Sequence, residues 1–155
     1  PSGSARGAAP APDTLDYIAE PLAFVALVKA QLSGRSLAQL LFTRRWASAA
    51  VYEGRDGWKL YKAVNGVLRL HDEGPQESAP VGPWDLDATD FTMVTSIAAD
   101  ALTRVPTKGL VTVLVTALPP SSSVNAFICA MAEEVGSAHV HTAEYDRAGN
   151  FVKGT

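Results

Sequence analysis

The chain has 155 residues, of which 47% are apolar and 19% charged, and its formal net charge is -3. That size and apolar content fit one compact unit able to bury its own core, and the near-neutral balance argues against nucleic acid or an acidic membrane surface as a partner. A single cysteine excludes an intrachain disulfide framework and any zinc site built from several cysteines, and no apolar run reaches the roughly 18 residues of a membrane span.

Residues 1–12, PSGSARGAAPAP, are almost entirely Pro, Gly, Ser and Ala. Such a composition has nothing to bury and reads as an extended arm in front of a single domain over residues 13–155. Where such an arm is held in order, it lies on its own domain or on a neighbouring subunit. Ala8, Pro10 and Pro12 are therefore candidate partner-binding residues.

The segment EPLAFVALVKAQLSG predicts a helix over residues 21–33. Pro21 suits the first turn, Leu22, Val25, Val28 and Leu32 recur at helical spacing, and Gly34 stops it. Ser36 and Gln39 have capping-box spacing, which predicts a second short helix in LAQLLFTRRW. From Ala47, Asp56-Gly57 and Asn65-Gly66 punctuate runs of β-forming residues, the pattern of a three-stranded meander. Alternation puts Leu68 and Leu70 on one face and Val67, Arg69 and His71 on the other, facing solvent.

Residues 74–86 carry three prolines and two glycines and read as a connecting loop. Asp87 and Asp90 mark the start of a helix whose apolar face is Phe91, Val94, Ile97, Ala101, Leu102 and Val105. GLVTVLVTAL, rich in β-branched residues and apolar on both sides, predicts a central strand. SSSVNAFICAMAEEVG fits a helix capped by Ser122 or Ser123, with Phe127, Met131 and Val135 on one side, in preference to a strand. The chain then closes on a hairpin, AHVHTAEY and NFVKG, turning through Asp146 and Gly149. The expected fold class is α+β: a largely antiparallel sheet, comprising the meander, later strands and the C-terminal hairpin, packed with two to four helices. Its halves each run from a helix into strands, but no residue pattern repeats at a fixed period.

His139 and His141 lie two apart, so on a strand both imidazoles project from one face and could share a metal ion. The nearest carboxylate, Glu144, has the opposite parity, and the spacing departs from the cupin pattern, which also needs a second histidine motif downstream. Two ordinary strand histidines are the simpler account, so no metal and no cofactor is expected. A Gly-x-Ser-x-Gly elbow is absent, and SGRS at residues 33–36 is a helix stop followed by a cap. Cys129 sits among apolar residues with no basic neighbour, as a small buried hydrophobe does. The acids Asp85, Asp87 and Asp90 suit a helix N-terminus, and Walker and dinucleotide glycine loops are both missing.

Charge is segregated along the chain. Arg44, Arg45, Arg55, Lys59, Lys62 and Arg69 fall between residues 44 and 69, whereas residues 72–100 hold seven acids and no base. With Tyr52, Trp58 and Tyr61 interleaved, the basic stretch has the makings of a single-strand nucleic-acid platform, which the overall charge opposes. Complementarity between copies of the chain fits the segregation better. The expected function is a non-catalytic structural, assembly or protein-interaction subunit. It would be held to neighbouring chains, as a homo- or hetero-oligomer, through the arm and through Arg44, Arg45, Lys59 and Lys62. A viral shell or surface component is one such case. The alternatives are an extracytoplasmic ligand- or protein-binding domain tethered by its N-terminal linker, and a metal-dependent enzyme using His139 and His141.

Overall fold

A computed structural model describes residues 14–52, 57–75, 84–105, 109–116, 126–133, 140–146 and 148–154. The arm with Ala8, Pro10 and Pro12 lies outside the described residues, as do Arg55, Ser122, Ser123 and His139. Helix α1 spans Pro21–Gln31 and is followed by β1 (Leu37–Phe42), β2 (Ala47–Tyr52), β3 (Trp58–Val64) and β4 (Val67–Gly74). After a 3-10 turn at Leu86–Ala88 come α2 (Met93–Thr103), β5 (Val111–Thr116), β6 (Ala126–Glu133), β7 (Val140–Asp146) and β8 (Phe151–Gly154). The strands form one antiparallel sheet in the order β4-β3-β2-β1-β5-β6-β7-β8. Each half is thus a helix followed by a four-stranded meander, and the halves meet where β1 pairs with β5. The topology repeats although the residues do not. The architecture is α+β, and the described residues contain two α-helices.

Helix α1 begins at Pro21 and ends before Gly34, whose φ of +79° suits glycine. Its buried side is Pro21, Phe24, Val25 and Val28, whereas Leu22, expected on that side, is 53% exposed. Leu22 sits about 100° round the helix from Pro21, and Phe24 takes the core position instead. At α2, the Asp90 carboxylate accepts from the backbone N–H and the hydroxyl of Thr92, which closes the turn that carries Phe91 into the core.

Two helices expected from the sequence are strands. Ser36 and Gln39 do not open a helix: Leu37–Phe42 is β1, at the middle of the sheet between β2 and β5. The turn after it explains the outcome. Thr43 and Trp46 exchange backbone and hydroxyl hydrogen bonds of 2.7–3.1 Å, closing a hairpin that brings Phe42 opposite Ala47. A helix of so few residues is marginal alone, and ladders on both sides outweigh its propensity. Within the preferred helix of residues 122–135, the described residues Ala126–Glu133 are instead β6, paired to β7 from Ala126 to Glu133 and to β5 from Ile128 to Ala132. Its Ala and Met residues carry helical propensity, but a slot with a partner strand on each side pairs its backbone in both directions.

Both helices pack on one face of the sheet. That face supplies Leu40, Phe42, Ala49, Val51, Val113, Val115 and Tyr145 to a single core with Phe24, Val28, Val94 and Ile97. An aromatic chain crosses it from Tyr17 to Phe24, Phe42 and Phe91, with ring centroids 5.6–6.1 Å apart. On β5 only Val111, Val113 and Val115 are buried, so the apolar-on-both-sides reading holds for one side only. The opposite face presents Gln39, Leu41, Leu60, Thr112, Leu114 and Thr142, all half-buried. No helix among the described residues is long and apolar enough to cross a membrane.

Candidate functional site

Three places concentrate polar chemistry. The first lies between α2 and the C-terminal hairpin. Asp100 and Arg104 are one helical turn apart, with Arg104 Nε 2.9 Å from the Asp100 carboxylate. Tyr145 projects from β7 beneath them, 1% exposed, and its hydroxyl donates to Asp100 at 2.5 Å. Phe151, opposite Tyr145 on β8, receives the Arg104 guanidinium 3.4 Å from its ring centroid. A cavity of about 240 Å3 adjoins this cluster, lined by Ala101, Arg104, Ala130, His141, Thr142, Ala143, Phe151 and Gly154.

The electrostatics make this cluster a brace. Arg104, and after it the Tyr145 hydroxyl, hold the Asp100 carboxyl below its usual range. Burial, reinforced by the Asp100 charge, pushes the Tyr145 phenol up to about 12. A phenol so raised stays protonated at neutral pH and offers no base, and the Asp100 charge is already neutralised. The first half contains a related contact: Arg35, just after α1, donates to the Tyr61 hydroxyl on β3 at 2.7 Å and lies over its ring. In both halves an arginine following the helix reaches a tyrosine on the third strand. Sequence reading missed these residues, although the four-residue spacing of Asp100 and Arg104 on a predicted helix was a usable signal.

The second place is the histidine strand. His141 sits on the helix-facing side of β7, opposite Ala132, and lines the cavity beside the Arg104 cation. Glu144 projects to the other face, as its parity predicts, and pairs with Lys153 at 3.2 Å. His139 is outside the described residues, so the pair is not seen together. Among the described residues no group of three or more His, Cys, Asp or Glu side chains converges as a metal site. His71, expected to face solvent, is exposed.

The third place is the β4 end of the sheet, where the basic residues separate. Arg44 is engaged by Asp16 at 2.9 Å, and Arg45 is exposed in the same hairpin turn. Lys59 pairs with Val51 on the helix-facing side, while Lys62, three residues on and so of opposite parity, lies on the other side with its ammonium 4.8 Å above the Trp46 ring. Tyr61 shares the face of Lys59, and Trp58 that of Lys62, so the aromatics and cations expected on one platform occupy opposite faces. Lys62 is joined instead by Arg69, its direct partner on β4. Around them runs a groove of about 470 Å3 formed by Lys62, Val64, Asn65, Val67, Arg69, Leu70 and His71. Val64, Val67 and Leu70 are 45–49% exposed there. The Asn65-Gly66 turn, with φ of +49° and +80°, sets the hairpin register that creates this rim.

Comparison with protein-family models, with curated proteins and with solved structures finds no match for this chain in any of the three.

Proposed function

We propose that the protein is a non-catalytic interaction or assembly subunit that engages other protein chains through the β4 end of its sheet. One observation carries this reading: β4 is an eight-residue strand at the sheet's end, and its rim presents Val64, Val67 and Leu70 beside Lys62 and Arg69. A terminal strand offers a row of backbone donors and acceptors to another chain, and an exposed apolar rim adds contact area. The arm of residues 1–12 is the second element of the proposal, as a clamp onto a neighbouring subunit.

The test is mass in solution by light scattering. It compares the full chain, a chain starting at Asp13, and a full-length variant carrying Val67→Glu and Leu70→Glu. The expected result is an oligomer that either change dissociates. Single-chain mass for the unaltered protein would remove self-assembly and leave a different chain as the partner. An oligomer untouched by both changes would sink the assignment to β4 and the arm.

A second reading, a small ligand-binding domain, draws on the cavity between α2 and the C-terminal hairpin. A ligand that raises the melting temperature of the unaltered protein but not of His141→Trp, which fills the cavity from the helix-facing side of β7, would favour it.

A further inference from the structure

The β4 rim has a chemistry more specific than an open edge. In a two-residue hairpin the residues flanking the turn form a hydrogen-bonded pair, here Val64 with Val67, and the next such pair is Lys62 with Arg69. The backbone groups of Val67 and Arg69 therefore point inward to β3, and those of Leu68 and Leu70 point outward. Past Leu70 the ladder shifts, because Leu60 faces Asp72 while Tyr61 faces Leu70, leaving His71 as the extra residue of a bulge. The docking edge is thus short, from Val67 to Leu70. Within it the charged groups are Arg69 and its neighbour Lys62, both cationic, and the acids Asp72 and Glu73 come only beyond the bulge.

We infer that this edge takes an extended, acidic segment of a partner protein as an added antiparallel strand, reading the order apolar, acid, apolar, apolar. The inference rests on the interaction reading above and names the partner's chemistry. Each position follows from what stands opposite. The acid meets Arg69 on the face it shares with Lys62, and the apolar residues meet Leu70, Leu68 and Val67. Main-chain bonds to Leu68 and Leu70 supply register, and the charge pair supplies selectivity. The bulge at His71 ends the site, since a straight strand cannot follow the edge past it.

The probe is a terminally blocked, fluorescein-labelled peptide, Ser-Val-Glu-Val-Val-Ser, titrated by anisotropy against the full chain. A second peptide has Lys in place of Glu. Saturable binding of the Glu peptide is expected, about five-fold weaker for the Lys peptide, with the preference reduced by salt. Arg69→Glu should reverse the preference. Leu70→Pro, which removes an outward N–H without touching a bond to β3, should abolish binding of both, with circular dichroism checking that the sheet persists. Equal binding of both peptides, unmoved by Arg69→Glu but lost in Leu70→Pro, would overturn the acidic class and leave edge docking intact. Failure of both peptides to bind the unaltered chain would overturn strand addition here, whatever the light-scattering result.

Discussion

The Tyr145 hydroxyl donates to the Asp100 carboxylate at 2.5 Å, joining β7 to α2 across 45 residues of sequence. Because Arg104 binds the same carboxylate and stacks on Phe151, four residues from α2, β7 and β8 are held together at one point. Tyr145→Phe keeps the ring in the core and removes only the hydroxyl. The expected loss is about 1–2 kcal/mol of unfolding free energy, read from urea titration with an unchanged slope. A loss within error would show that the hydroxyl is equally well served by water.

The same cluster sets a pH dependence at both ends. Asp100, with its folded carboxyl held low by Arg104 and then by Tyr145, contributes stability that is complete above the ordinary carboxylate range near pH 4. That contribution is lost as the pH falls through the lower folded value. Tyr145, its phenol raised to about 12 by burial and by Asp100, contributes stability that is complete below the ordinary value of 10.0 and lost as pH rises toward 12. Melting temperature should therefore fall between these two alkaline limits in the unaltered protein and fall less steeply in Tyr145→Phe. Parallel curves for the two proteins would contradict the assignment.

Three glycines with left-handed φ should respond unequally to alanine. At Gly66 (φ +80°) an added Cβ meets nothing within 4 Å, and at Gly149 (φ +86°) it meets Met93 at ordinary contact distance, so each substitution should cost only the backbone strain of about 1–2 kcal/mol. At Gly57 (φ +87°) the Cβ falls 1.9 Å from the Gly74 carbonyl oxygen, so steric repulsion adds to the strain. Denaturant midpoints should rank Gly57→Ala clearly last.

Phe42, fully buried on β1, touches the rings of Phe24 and Phe91 and so couples α1 to the segment that leads into α2. Phe42→Ala should destabilise by about 3–5 kcal/mol, through lost transfer energy and the cavity left behind. Calorimetry would reveal a smaller effect if the core collapsed into the gap.

Metal analysis of the purified chain should find well under one zinc, manganese or iron per molecule. On the described side of the motif, His141 faces a cavity containing the Arg104 cation, and Glu144 is turned to the other face and paired with Lys153. Stoichiometric metal that vanishes in His139→Ala would reverse this expectation and restore the metal-enzyme alternative.

Signals that act within one turn or one hairpin were legible in the chain. Pro21 and Gly34 bracketed α1, Asp90 and the spacing of Val94, Ile97 and Ala101 marked α2, and Asn65-Gly66 and Asp146 to Gly149 marked hairpin turns, because capping and left-handed φ are properties of a few adjacent residues. The candidate sites were less legible. Lys59 and Lys62 looked like one basic patch and lie on opposite faces, and Asp100, Arg104, Tyr145 and Phe151 gave little hint of meeting. By itself, then, the sequence determined the class of the fold, the main turns and the helix boundaries to within a few residues. Only the tertiary structure decided that Leu37–Phe42 and Ala126–Glu133 are strands, since each gains ladders on both sides that no local propensity can anticipate. It likewise decided which side chains meet, because the packing of α2 on β7 and β8, and not distance along the chain, sets Tyr145 and Phe151 against Asp100 and Arg104.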